Sequence, residues 1–193
     1  MRWRPGTALL ALVGLLLIAG CVGLPVAPGP GDATPAVDRD ATPAVDREAS
    51  VVEVVDGDTL EVRMPDGGVE TVRLLGVDTP ETYADNDPAE FEGVPDSRAG
   101  RACLRAAGEN ATGFVEETLA GGTVSVRTDP TADLRGSYGR LLVYVTVDGE
   151  SLNRALLAHG HARLYDTAFQ RRDEFATVED RAQGQGRGLW ACR

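Results

Sequence analysis

Between Ser50 and Val77 the chain reads SVVEVVDGDTLEVRMPDGGVETVRLLGV. Apolar and polar residues alternate, and glycine-bearing turns break the run. A period of two commits this segment to half-buried strands, expected at 51–55, 59–64 and 69–77. Pro65-Asp66-Gly67-Gly68 supplies a hairpin turn. Pairing the hairpin about Asp66-Gly67 sets Leu60 opposite Arg73 and Asp58 opposite Leu75. Alternation then places Asp58 and Arg73 on one face, with Asp78 just past the strand end.

The rest of the domain reads in the same way. Residues 78–96 form a long loop. Ser97 starts a helix that runs to about Leu119, where Gly121-Gly122 ends it. Strands are expected at 123–128 and 139–147, and a short one at 161–165. A helix capped by Ser151 stops at Gly160. A charged helix follows over 168–184, and the terminal GLW tucks against something apolar. Short strands with little parallel crossover point to the α+β class: a five-stranded OB-fold β-barrel with about three helices.

The loop after the third strand is acidic. Residues 78–96 hold seven carboxylates, among them Asp78, Glu81, Asp85 and Asp87. Carboxylates this close repel unless water, salt or a cation relieves them, so the loop is either a solvated surface or a metal site. Asp58 and Asp78 could supply carboxylates to a hard cation such as Ca²⁺. Pro80 biases Thr79 towards an extended backbone that could aim its carbonyl at the ion. Glu81 is close enough to act through water, and Arg73 offers a planar fork for phosphate oxygens. Arg140 opens a later strand. Asp85, Asp87, Glu90 and Glu92 read as solvated, His159 and His161 as structural, and Tyr144 and Trp190 as core.

The N-terminus reads differently. Arg2 and Arg4 precede an apolar run over 8–19, too short to span a membrane and suited to a secretory signal. Ala19-Gly20-Cys21 resembles a lipobox with Cys21 as the lipidated residue, so residues 1–21 are expected to direct export and membrane anchoring; an ordinary signal peptide is the alternative. Residues 22–49 are rich in Pro, Ala and Asp and repeat DATPAVDR at 32–39 and 40–47. They are expected to form a disordered tether with a reach of about 30 Å. The domain is then 50–193.

The chain has no lysine, and without Arg2 and Arg4 it sets 17 arginines against 30 acids, a net charge of −13. Such a composition suits a high-salt environment, where salt screens self-repulsion, or simply an acidic mesophile. Cys103 and Cys192 form an even pair that permits a disulfide worth roughly 2–4 kcal/mol, or two buried thiols. Asn110-Ala111-Thr112 is a glycosylation sequon.

The stretches VVDGDTLEV, VRLLGVDTPET and YGRLLVYV, and more loosely SLNRALLAHGHARLY and GLW, resemble the staphylococcal (micrococcal) nuclease or thermonuclease family. The resemblance spreads across 50–190. It implies an OB-fold and Ca²⁺-dependent cleavage of DNA and RNA that leaves 3′-phosphate and 5′-hydroxyl ends. It also implies that Asp58, Asp78 and the Thr79 carbonyl bind Ca²⁺, that Glu81 is the general base, and that Arg73 and Arg140 clamp the phosphate. Tyr138 and Tyr165 match positions lining the nucleotide pocket. Gly136 and Ser137 stand before Tyr138, where the family pattern carries an acid and a basic residue. Two classes of function remain: an exported, monomeric nuclease and a non-catalytic OB module that binds nucleic acid or another surface ligand.

Overall fold

The structure is a computed structural model, and it describes residues 46–120 and 122–193. The expected signal sequence, Cys21 and the tether up to residue 45 lie outside the described residues.

Five strands close into a barrel: β1 (Asp46–Val54), β2 (Thr59–Arg63), β3 (Val69–Leu74), β5 (Thr123–Arg127) and β6 (Leu141–Val147). β1 pairs with β5 through its first half and with β2 through its second. An irregularity between Val51 and Glu53 bends it from one partner to the other. A parallel ladder of β3 on β6 closes the ring. This is the expected OB-fold of the α+β class. β7 (Glu150–Ser151) extends β6, and β4 (Val77–Asp78) pairs with β8 (Arg163–Leu164) outside the ring.

Inward residues such as Leu60, Val62, Val72, Leu74, Val126, Val143 and Val145 share one core with Leu152, Leu156 and Leu157 of α2 (Leu152–His159) and Phe175 of α3 (Arg172–Gly184). A second cluster joins α1 (Arg98–Thr118) to Phe91, Leu189 and Trp190. The Cys103–Cys192 disulfide, with Cα atoms 5.7 Å apart, borders it. Ser97 caps α1 by accepting a bond from the Gly100 amide at 3.0 Å, and Ser151 caps α2.

The structure corrects several sequence readings. β1 begins at Asp46, inside the stretch read as tether, because residues 46–49 find ladder partners on β5. The hairpin register is one residue off: Thr59, not Leu60, faces Arg73. Pro65 has no N–H and cannot fill the hydrogen-bonded position beside a two-residue turn. Met64 takes it instead, donating to the Gly68 carbonyl at 2.8 Å, and Pro65-Asp66-Gly67 becomes a three-residue loop with Gly67 at φ +90°. The expected strand 69–77 breaks at Leu75–Gly76, so its last residues leave the barrel as β4. The last helix starts at Arg172 rather than 168, because the Gln170 amide donates to the Asp129 carboxylate at 2.8 Å.

Candidate active site

Tyr138 and Arg140 owe their placement to a second copy of the same turn. Gly136 donates to the Arg140 carbonyl at 3.0 Å, Gly139 donates to the Gly136 carbonyl at 2.9 Å, and Gly139 sits at φ +77°. The expected strand 139–147 therefore begins only at Leu141, and 139–140 belong to the loop. Ser137-Tyr138-Gly139 forms its tip, so Tyr138 stands 86% exposed. Arg140 enters the barrel beside it with its guanidinium 5.6 Å from the Tyr138 ring centroid.

Asp58 and Arg73 meet despite the shifted register. Asp58 precedes the β2 ladder and lies in a bend held by its own amide, which donates to Asp56 Oδ1 at 3.0 Å. Strand alternation does not govern it there. Asp58 is 3% exposed. Its Oδ1 accepts from Arg73 Nη1 and from Thr59 Oγ1 at 3.1 Å. Its Oδ2 accepts from the Thr79 amide at 2.9 Å and the Thr79 hydroxyl at 3.3 Å. The Thr59 hydroxyl in turn accepts from Arg140 Nη1 at 3.2 Å. Asp78 is held at both oxygens, Oδ1 by Arg73 Nη2 at 2.6 Å and Oδ2 by Arg163 Nη2 at 2.7 Å.

Burial pushes the Asp58 pKa up to about 7; the Arg73 charge pulls it down, and Asp56 and Asp78 add to the rise. Burial also raises the Glu81 pKa, helped by Asp56 and Asp78. For Arg73 burial disfavours the charge, but Asp58 and Asp78 outweigh it and hold the pKa above the ordinary arginine value. The rim thus sets a firmly charged Arg73 against a buried carboxylate held above its ordinary pKa. Arg140 Nε is buried and meets no hydrogen-bond partner within the described residues, leaving a donor for a ligand.

A cleft of about 300 Å³ is lined by Arg73, Leu74, Tyr138, Arg140, Leu142 and Tyr165 among others. Glu81 faces an adjoining groove with Asp56, Tyr138 and Arg140. The structure therefore brings Asp58, Arg73, Asp78, Thr79, Glu81, Tyr138, Arg140 and Tyr165 to one end of the barrel. Asn110 lies apart, exposed on α1. His159 and His161 pack on Phe114, with ring centroids 5.2 and 4.7 Å away. Asp87 caps a 3-10 turn over Pro88–Glu90, and Tyr144 is buried with its hydroxyl on Asp129 at 2.6 Å.

Sequence reasoning missed three residues that build this end. Arg163 sits directly opposite Asp78 in the β4–β8 pair; strands of two residues carry no readable period. Asn86 bonds both the amide and the carbonyl of Glu81, at 2.7 and 2.9 Å. Arg105 of α1 donates to the carbonyls of Thr82 and Ala84, at 2.5 and 3.3 Å. An asparagine among acids and an arginine on an exposed helix face gave no signal of these loop contacts.

The family model for staphylococcal nuclease homologues matches residues 71–192. Asp58 lies ahead of that span and reaches the site through the first hairpin. An uncharacterised protein of Methanocaldococcus jannaschii is 38% identical over 149 residues, covering 72% of this chain and 70% of that protein. The SPbeta prophage-derived endonuclease YokF of Bacillus subtilis is 35% identical over 140 residues, 71% of this chain and 42% of that protein. The thermonuclease of Staphylococcus hyicus is 29% identical over 143 residues, 73% of this chain and 74% of that protein. The chain thus spans under half the length of YokF and about three quarters of the thermonuclease. The barrel, the acidic rim and the matched span together place this chain in the staphylococcal nuclease homologue family.

Proposed function

We propose that this chain is a calcium-dependent nuclease that hydrolyses phosphodiester bonds of DNA and RNA outside the cytoplasm. The observation that carries the proposal is Arg73 bridging Asp58 and Asp78 on the rim that also presents Glu81 and Arg140. Thermonuclease and endonuclease are the names of relatives that share this span.

The donor set suits a hard cation, because every candidate ligand atom is oxygen and Asp58 is a buried carboxylate whose charge a cation would relieve. Among the described residues no three His, Cys, Asp or Glu side chains converge on one point. Asp58, Asp78 and the Thr79 carbonyl would therefore hold Ca²⁺ with water and substrate oxygens completing the shell. A bound calcium ion would supply a Lewis acid and a template for the phosphate. Arg73 and Arg140 donate to the non-bridging phosphate oxygens, where negative charge grows in the transition state. The Glu81 carboxylate takes a proton from the attacking water. The water oxygen bonds to phosphorus as the bond to the 5′ oxygen breaks, and that oxygen takes a proton from solvent, leaving a 3′-phosphate and a 5′-hydroxyl. Export, and anchoring to the outer membrane face through lipidated Cys21, complete the reading and rest on the N-terminal sequence pattern.

Digestion of plasmid DNA and RNA at several salt concentrations, with Ca²⁺ or a chelator, tests the proposal. Chelator-sensitive cleavage is expected, and its absence at every salt level refutes the enzyme reading in favour of a binding module. Glu81→Gln and Arg140→Ala should each lose about two orders of magnitude or more in kcat.

A further inference from the structure

Three of the four tyrosines are exposed: Tyr83 at 87%, Tyr138 at 86% and Tyr165 at 47%. The fourth, Tyr144, is buried at 3%. Tyr138 and Tyr165 line the cleft beside Arg73 and Arg140. Tyr83 does not. It stands two residues beyond Glu81, on the acidic loop.

That loop is braced around Tyr83. Asn86 closes it by bonding both backbone groups of Glu81, and Arg105 holds the carbonyls on either side of Tyr83, at Thr82 and Ala84. Two side chains are thus committed to a tip whose one large apolar group faces water. An exposed tyrosine needs no explanation alone. A braced one beside a candidate general base, in a chain that keeps its only other non-site tyrosine in the core, points to a ligand.

Charge says which kind. The chain has a formal net charge of −11 and no lysine, so its surface repels a polyanion. Phosphate contacts weaken further as salt rises, whereas stacking of a base on an aromatic ring does not depend on counterion release. Unpaired bases expose the faces that stacking requires.

We propose that Tyr83 is a base-stacking residue for a nucleotide on the Glu81 side of the reacting phosphate, and that it favours single-stranded substrate. Tyr138 and Tyr165 serve the nucleotide on the other side. The inference rests on the nuclease reading and deepens it.

The test compares wild type, Tyr83→Phe and Tyr83→Ala on a single-stranded DNA octamer, a duplex of the same sequence, and thymidine 5′-phosphate p-nitrophenyl ester with a 3′-phosphate. KM and kcat are measured with Ca²⁺. Binding of fluorescein-labelled octamer is followed by anisotropy at two salt concentrations. Tyr83→Ala should raise KM and Kd for the single strand about 5- to 150-fold, the range for one lost stack, with kcat within about twofold. Tyr83→Phe should behave as wild type, and neither variant should change KM for the duplex. If wild type cleaves the octamer but Tyr83→Ala leaves its KM unchanged, or raises KM equally for duplex and single strand, the stacking role is wrong and the nuclease reading stands. If wild type cleaves nothing under any condition, the nuclease reading fails. If kcat falls with KM unchanged, Tyr83 orders Glu81 and does not stack.

Discussion

Gly108 offers a sharp test of how α1 positions the reacting groups. A Cβ built at Gly108 would lie 2.3 Å from the Pro80 carbonyl oxygen and 3.3 Å from the Glu81 carbonyl oxygen. Normal van der Waals separation would demand a shift of about 1 Å. Pro80 joins Thr79, which bonds Asp58, to Glu81, which is pinned by Asn86. The strain of Gly108→Ala therefore falls on both the candidate metal ligands and the candidate base. Overpacking costs about 1–3 kcal/mol, and alanine in place of glycine returns about 1 kcal/mol of helix propensity. The net destabilisation is then about 0–2 kcal/mol, a fall in Tm of at most about 7 °C for a domain of this size. A displacement of about 1 Å at a reacting group costs roughly 100-fold in rate. Activity should fall far more than stability. Gly113→Ala on the same helix is the control: its Cβ would meet nothing within 4 Å. That variant should gain about 1 kcal/mol with unchanged activity. The assay is kcat for calcium-dependent cleavage of single-stranded DNA at 25 °C, beside thermal melts of both variants. A folded Gly108→Ala protein with kcat within twofold of Gly113→Ala would refute the claim that close helix approach sets the loop.

Two further outcomes follow from the frame. Replacing Cys103 and Cys192 together by serine opens a link across 89 residues of sequence; the loop-entropy relation puts its stabilisation at about 4–5 kcal/mol, above the roughly 2–4 kcal/mol of a typical disulfide because the closed loop is long, so Tm should fall by about 15 °C by calorimetry, and a fall under 5 °C would overturn that figure. The Asp129 pKa is held below its usual value: burial opposes this, but bonds from Thr131, Tyr144 and the Gln170 amide prevail. Its stabilisation is therefore present above the unfolded-state pKa of about 3.9 and disappears as pH falls through the lower folded value. Asp129→Asn should flatten the stability profile between about pH 5 and 2 in urea melts, and an unchanged profile would remove Asp129 from the acid response.

The sequence was most legible where one residue type has one use. Alternation exposed β2 and β3, Ser97 and Ser151 marked helix starts, and Gly160 marked a stop at φ +72°. The rim residues were legible because acids and arginines sat at strand ends. The hairpin register does not follow from turn composition, because Pro65 suits a turn but lacks the donor a two-residue loop requires. Asp58 still reached Arg73, since a residue ahead of the ladder is free of its alternation. The β1–β5 pairing of residues 46–49 lies at the end of a stretch whose Pro/Ala/Asp-rich composition points to disorder, and strand partners far along the chain leave no local trace. Arg105, Asn86 and Arg163 act through tertiary contacts that only the closed fold supplies.

The parallel ladder between β3 and β6 joins Val72, Arg73 and Leu74 to Leu141, Leu142 and Val143. These partners are about 70 residues apart, so their pairing carries a large loop-closure entropy and belongs among the slower events of folding. That pairing, with the turn before Leu141, sets Arg73 and Arg140 along one cleft. A chain caught with its barrel open does not bring the two arginines together. Cleavage activity in this protein should therefore appear late in refolding, in step with barrel closure, and its time course can serve as a direct clock for that event.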